Sequence, residues 1–121
     1  RGGSSGISDT VNITRNFSIM NEPKVLSVYN YPNPFVNETF FTFKLTQIPE
    51  EFKIIIYTVA GRKIKEMNIS SNTLRYDLNK LHWDGRDEDG DIIANGVYFY
   101  RIVMKKAGKT ETYTEKMAII K

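Results

Sequence analysis

The residues of this chain best suited to chemistry lie between Leu81 and Val103, in the run LHWDGRDEDGDIIANGVYFYRIV. It contains the single His (His82), the single Trp (Trp83) and the aspartates Asp84, Asp87, Asp89 and Asp91. Asp87, Asp89 and Asp91 stand at i, i+2 and i+4, the opening spacing of a calcium loop, where alternate carboxylates converge on one hard cation. The complete loop requires Gly at its sixth place and a bidentate Glu at its twelfth; here those places hold Ile92 and Tyr98. The three aspartates are therefore weak metal candidates, and a solvated turn is the leading reading.

Glycoside hydrolysis needs two carboxyl groups facing each other across a cleft of roughly 5 to 10 Å, which acids crowded on one loop do not provide. His82 has no evident nucleophile or metal-ligand partner, and the chain has no Cys for thiol chemistry or a Cys-based zinc site. No Gly-rich loop precedes a helical pattern, so a phosphate cradle is not expected. The expectation is a domain that catalyses nothing and holds no cofactor.

The elements around this stretch are strands. Asp84-Gly85, Asp89-Gly90 and Asn95-Gly96 are Asx-Gly turn signals. They lead into Val97–Val103, an unbroken β-branched and aromatic run that reads as a central strand. Upstream, VLSVYNY (25–31), TFFTFKL (39–45) and FKIIIYTV (52–59) read as strands, the last apolar enough to be covered on both faces. Ala60-Gly61 turns the chain into a lysine-rich edge strand (62–69), LRYDL (74–78) reads as a short strand, and 110–121 as the last. Tyr31-Pro32-Asn33-Pro34-Phe35 must leave the sheet, because proline donates nothing to a ladder; Tyr31 and Phe35 are expected to plug the core.

About seven strands with turn signals every 8 to 12 residues predict an all-β fold: an immunoglobulin-like β-sandwich of antiparallel strands, Greek-key type. The domain is expected over 25–121. Residues 1–24 are a linker or the end of a preceding domain: RGGSSG has tether composition, and 7–20 alternate like a further strand. There Val11, Ile13, Phe17 and Ile19 are expected to face inward, with a register change near Arg15.

At 121 residues the chain supports one core. The net charge of +3 is carried by scattered Lys and Arg rather than a basic stripe, so no nucleic-acid partner is expected. No run of about 18 apolar residues occurs, and no direct membrane insertion is expected. A monomer is expected.

Three ordered motifs carry a resemblance: Tyr31-Pro32-Asn33-Pro34-Phe35, the Ile56–Lys63 hairpin around Gly61, and Asn95-Gly96-Val97-Tyr98, followed by a last strand with Lys116, Ile119, Ile120 and Lys121. Together they resemble the C-terminal sorting domain of cargo proteins of the bacterial type IX secretion system, in its sortase-like version. Trp83-Asp84-Gly85-Arg86-Asp87 is similar to the immunoglobulin-like domain of flagellar hook-capping proteins. The resemblance implies a secretion and sorting signal. Its expected partners are an outer-membrane shuttle protein, the translocon and the sortase. Its cargo is expected to pass the periplasm and outer membrane to be secreted or held at the cell surface. It also implies that Tyr31, Pro32, Asn33, Pro34, Gly61, Gly96, Tyr98, Lys116, Ile119, Ile120 and Lys121 are the recognition candidates, with any cleavage site before Val25. The alternatives are an accessory carbohydrate-binding module, with Tyr29, Tyr57, Trp83, Tyr98 and Tyr100 as a sugar platform, or a hook-cap-like structural module.

Overall fold

Period-two alternation decides which way each strand faces. In β2 (Thr39–Leu45), Phe41, Phe43 and Leu45 point inward and are buried, while Phe40 and Lys44 point out. In β3 (Glu51–Thr58) the inward set is Phe52, Ile54 and Ile56; in β6 (Gly96–Lys106) it is Tyr98, Tyr100, Ile102 and Met104. The computed structural model describes residues 23–121, and the expected strand over 7–20 lies outside them.

The remaining strands are β1 (Val25–Tyr31), β4 (Lys63–Asn68), β5 (Asn79–Trp83) and β7 (Lys109–Ile119). Two antiparallel sheets form, ordered β1-β2-β5 and β4-β3-β6-β7. Their inner faces close on one core: Phe41 lies 4.8 Å from Tyr100 across the sandwich, and Phe43 stacks on Phe52 at 4.8 Å. Each fully buried aliphatic or aromatic side chain contributes about 1.5 to 3 kcal/mol. Ile55, on the outer face, is also buried, flanked in register by Glu66 and Arg101. The apolar run in β3 is thus covered on both sides.

Two expectations need correction. Residues 74–78 are not a strand. The Asn79 side chain accepts from the Arg75 amide at 2.9 Å and donates to the Arg75 and Asp77 carbonyls. That ring of bonds satisfies the backbone locally, and the strand begins at Asn79 instead. Tyr31 is not a plug: it is 70% exposed, and only Phe35 enters the core, at 1%. Tyr31 ends its strand with outward parity, opposite Phe40, so its ring faces solvent.

Candidate recognition end of the sandwich

The recognition candidates fall at widely separated places in the sequence, but the registers bring them to one end of the domain. β1 ends there at Tyr31 and β2 begins there, since Tyr31 lies opposite Phe40. β5 ends there at Trp83, paired with Thr39. β3 ends there at Thr58, opposite Tyr98 near the start of β6, and Gly61 follows at once. Gly96 lies opposite Ile119, so β7 ends there too.

The Pro-rich segment is tied to the last strand. Phe35 forms a parallel bridge with Ile119: the Phe35 amide donates to the Ala118 carbonyl at 3.1 Å and the Ile120 amide donates to the Phe35 carbonyl at 3.0 Å. The Asn33 side-chain oxygen accepts the Ala118 amide at 3.0 Å. Behind the segment, the Pro32 carbonyl accepts from the Thr39 hydroxyl at 2.8 Å and from the Asn30 side chain at 3.4 Å. Asn30 and Thr39 are both buried and were not among the sequence candidates. Their signal was present in the strand parity, since each is a polar residue at an inward-facing position.

The loop from Trp83 to Asn95 packs beside this bridge. Trp83, 2% exposed, meets Phe35 edge-on at 5.7 Å and donates its indole N–H to the Arg86 carbonyl at 3.0 Å. Gly85 has φ +72 and approaches so closely that an added Cβ would stand 3.0 Å from the Asn37 carbonyl oxygen. Further along, Tyr98 donates to the Ala94 carbonyl at 2.7 Å, and burial pushes its phenol pKa up. Lys121 donates from its backbone amide to the Asn95 side chain at 3.3 Å and from Nζ to the Ile93 carbonyl at 2.9 Å. A hollow of about 130 Å³ opens between Val36, Arg86, Ile92, Ile119 and Lys121.

The aspartates do come together: Asp87, Asp89 and Asp91 place carboxylate oxygens within 4.8 Å of one another. Asp87 Oδ1 accepts from the Asp89 and Asp91 amides, both at 2.9 Å, which is the hydrogen bonding of an Asx-stabilised turn. His82 Nε2 lies 2.6 Å from a Glu38 carboxylate oxygen on the exposed face of the three-stranded sheet. It is remote from any nucleophilic arrangement among the described residues.

The candidates divide by exposure. Tyr98, Ile119 and the glycines shape the end, while Tyr31, Pro32, Asn33, Pro34, Lys116, Ile120 and Lys121 lie on its surface. Exposed apolar side chains concentrate there as well: Tyr31, Val36, Val59, Ile92, Val97 and Ile120, the last at 57%. Such a concentration is the usual mark of a protein-binding surface. The five aromatic residues named for a sugar platform do not share a face, because Trp83, Tyr98 and Tyr100 are buried in the core.

The family described as the secretion system C-terminal sorting domain matches residues 27–83. Among solved structures, dimeric latent PorU of Porphyromonas gingivalis is similar, with TM-score 0.67 and 23% identity over 82% of this chain and 9% of that one. PorZ, an essential surface component of the type-IX secretion system of the same organism, aligns with TM-score 0.52 and 22% identity over 78% of this chain and 12% of its own. FlgD of P. aeruginosa aligns with TM-score 0.50 and 17% identity, over 82% of this chain and 64% of its own. At these identities the likeness is one of fold, and the chain spans about a tenth of the length of the first two proteins. No curated protein sequence matches it.

Proposed function

We propose that the whole sandwich, 25–121, is the folded address by which type IX secretion machinery exports a cargo protein, a reading supported by the match of residues 27–83 to the secretion system C-terminal sorting domain. The observation that supports this reading is the convergence just described. The Phe35–Ile119 bridge joins the Pro-rich segment to the last strand, and the exposed side chains of Val36, Ile92 and Ile120 lie beside the junction. A receptor reading that end would contact Val36, Ile92 and Ile120 in one footprint, which no contiguous peptide presents. In this reading the partners are the outer-membrane shuttle, the translocon and the sortase. The domain acts as a monomer that binds and does not catalyse, and the cargo reaches the cell surface or the medium.

Removing Met117–Lys121 would not test this cleanly, because Met117 and Ile119 are core residues and their loss unfolds the sandwich. The informative variant is Ile120→Asp with Val36→Asp, both at exposed positions, in a reporter fused to this domain and expressed in a host with type IX secretion. The expected result is reporter held in the periplasm while the purified variant melts like the parent. Normal surface delivery by the folded variant would refute the reading.

A further inference from the structure

On the outer face of the four-stranded sheet, aromatic rings sit among cations near the Gly61 turn. One register row runs from Lys63 through Tyr57 and Phe99 to Lys116, and the next places Arg101 between Ile55 and Thr114. Strand period turns Tyr57, Phe99, Arg101 and Lys116 away from the core that Ile56, Tyr98, Tyr100 and Met117 enter. A recess of about 390 Å³ opens there, walled by Tyr57, Val59 and Phe99 and bordered by Gly61, Arg101 and Thr114. No carboxylate of the described residues lines it, and it shares no residue with the hollow beside the Phe35–Ile119 bridge.

Arg101 is oriented at this recess but not neutralised. Its guanidinium carbon lies 5.1 Å from the centre of the Tyr57 ring, and its Nε donates to the Thr114 hydroxyl at 3.4 Å. Ring stacking and the Nε bond together fix the plane of the fork. The two terminal nitrogens remain as an end-on pair of donors, an arrangement that takes both oxygens of one carboxylate. Lys53, Lys63 and Lys65 each lie within 3.9 Å of a carboxylate oxygen, whereas Arg101 and Lys116 have no such partner among the described residues. The acid nearest in register, Glu66 opposite Ile55, is already shared by Lys53 and Lys63. Glu115 stands between Thr114 and Lys116 but has the opposite parity, and its carboxylate accepts from the Tyr113 hydroxyl at 3.4 Å.

We propose that this recess is a second binding site, which takes an acidic side chain of a partner protein together with an apolar residue beside it. Charge complementarity selects the partner: a carboxylate supplies the counter-charge that Arg101 and Lys116 lack. The apolar neighbour covers Phe99 and Val59, the latter 65% exposed. The volume is at the lower end of the range that holds one small ligand, about 300 to 1,000 Å³, so the recess accommodates one or two side chains of a short segment. Arg101 supplies orientation through its fork, and Lys116, opposite Phe99, adds charge at the rim. The site does not depend on the sorting reading, because no residue of the export junction takes part in it.

Titration of the intact chain with a short capped peptide of Glu and Leu, followed by NMR, tests this. Amide shifts are expected to centre on Phe99, Arg101 and Thr114. The same peptide with Gln in place of Glu is expected to bind roughly tenfold more weakly or worse, the usual worth of a charge-assisted bond. That comparison needs no variant of the protein. Arg101→Met, at an exposed position, is expected to melt like the parent and to lose the peptide; Arg101→Lys keeps the charge without the fork and is expected to bind more weakly than the parent. Ile120→Asp with Val36→Asp is expected to bind the peptide as the parent does, which separates this site from the export surface. Equal binding of the Glu and Gln peptides, undiminished binding by folded Arg101→Met, or shifts centred on Lys121 would overturn the proposal. So would the same shifts at equal concentrations of acetate or inorganic phosphate, since the apolar walls would then contribute nothing.

Discussion

The side-chain oxygen of Asn33 accepts the backbone amide of Ala118 at 3.0 Å, across a sequence separation of 85 residues. Together with the adjacent Phe35–Ile119 bridge it makes the Pro-rich segment and the last strand one structural unit. A change on either side is therefore felt on the other. Two regions far apart in the sequence form one surface.

Replacing Asn33 by Ala removes that acceptor at a solvent-accessible site, where the net worth of a hydrogen bond is about 1 kcal/mol. A domain of this size should lose roughly 4 to 8 °C in Tm. Phe35→Ala empties a core position and should cost about 3 to 5 kcal/mol. Thermal denaturation separates the two, and exchange at the Ala118 amide should quicken in both. An unchanged Ala118 exchange rate in Asn33→Ala would show that the bond does not hold the strand.

Gly85 and Gly90 both have positive φ, at +72 and +84, but differ in their surroundings. A Cβ on Gly90 meets nothing, so Gly90→Ala should cost only the backbone penalty of about 1 to 2 kcal/mol. A Cβ on Gly85 would stand 3.0 Å from the Asn37 backbone oxygen and 3.6 Å from the Phe35 ring, neither of which yields cheaply. Gly85→Ala should therefore be the more destabilising by at least about 1 kcal/mol, read from chemical denaturation midpoints at constant slope. Equal midpoints would mean that the loop moves aside and that Gly85 has no packing role.

The Tyr100 hydroxyl is buried and has no hydrogen-bond partner among the described residues. Burial, with Glu115 and Tyr113 as lesser causes, pushes its pKa well above the usual 10. Tyr98 and Tyr113 shift in the same direction, Tyr98 through burial and Tyr113 chiefly through the Glu115 charge. A phenol kept neutral by the fold retains its proton where the unfolded chain has lost it. This contribution is whole below about pH 10 and falls as pH rises from there toward the folded-state value. Stability should therefore decline on the alkaline side above about pH 10. Tyr100→Phe should make that decline shallower and, by removing an unpaired buried polar group, leave the neutral-pH stability equal or about 1 kcal/mol higher. The measurement is denaturant unfolding from pH 7 to 11; an alkaline limb as steep as the parent's would contradict the assignment.

Much of this was legible along the chain because strand parity is a local property. The period-two pattern in TFFTFKL identifies Phe41 and Phe43 as core before any partner is known, and the lysines of the fourth strand mark an edge. Where side-chain hydrogen bonds compete with pattern, the pattern was a poorer guide. LRYDL has strand-like alternation, yet the Asn79 side chain holds its carbonyls in a loop. The prolines announced that Tyr31–Phe35 leaves the sheet; strand parity alone sets Tyr31 outward, whereas the core entry of Phe35 depends on the Ile119 bridge.

Composition and local pattern were enough for an all-β sandwich, most of its strands and turns, and the motifs that resemble sorting domains, since each rests on neighbouring residues and side-chain period. The tertiary structure decided that those motifs meet. Tyr31, Gly61, Trp83, Gly96 and Ile119 reach one end only through cross-strand registers, and a register is set by which distant strands bury their apolar faces together. It also decided which residues are presented and which support them. Trp83, Tyr98 and Ile119 are withdrawn into the core, while Tyr31 and Ile120 are left exposed to solvent.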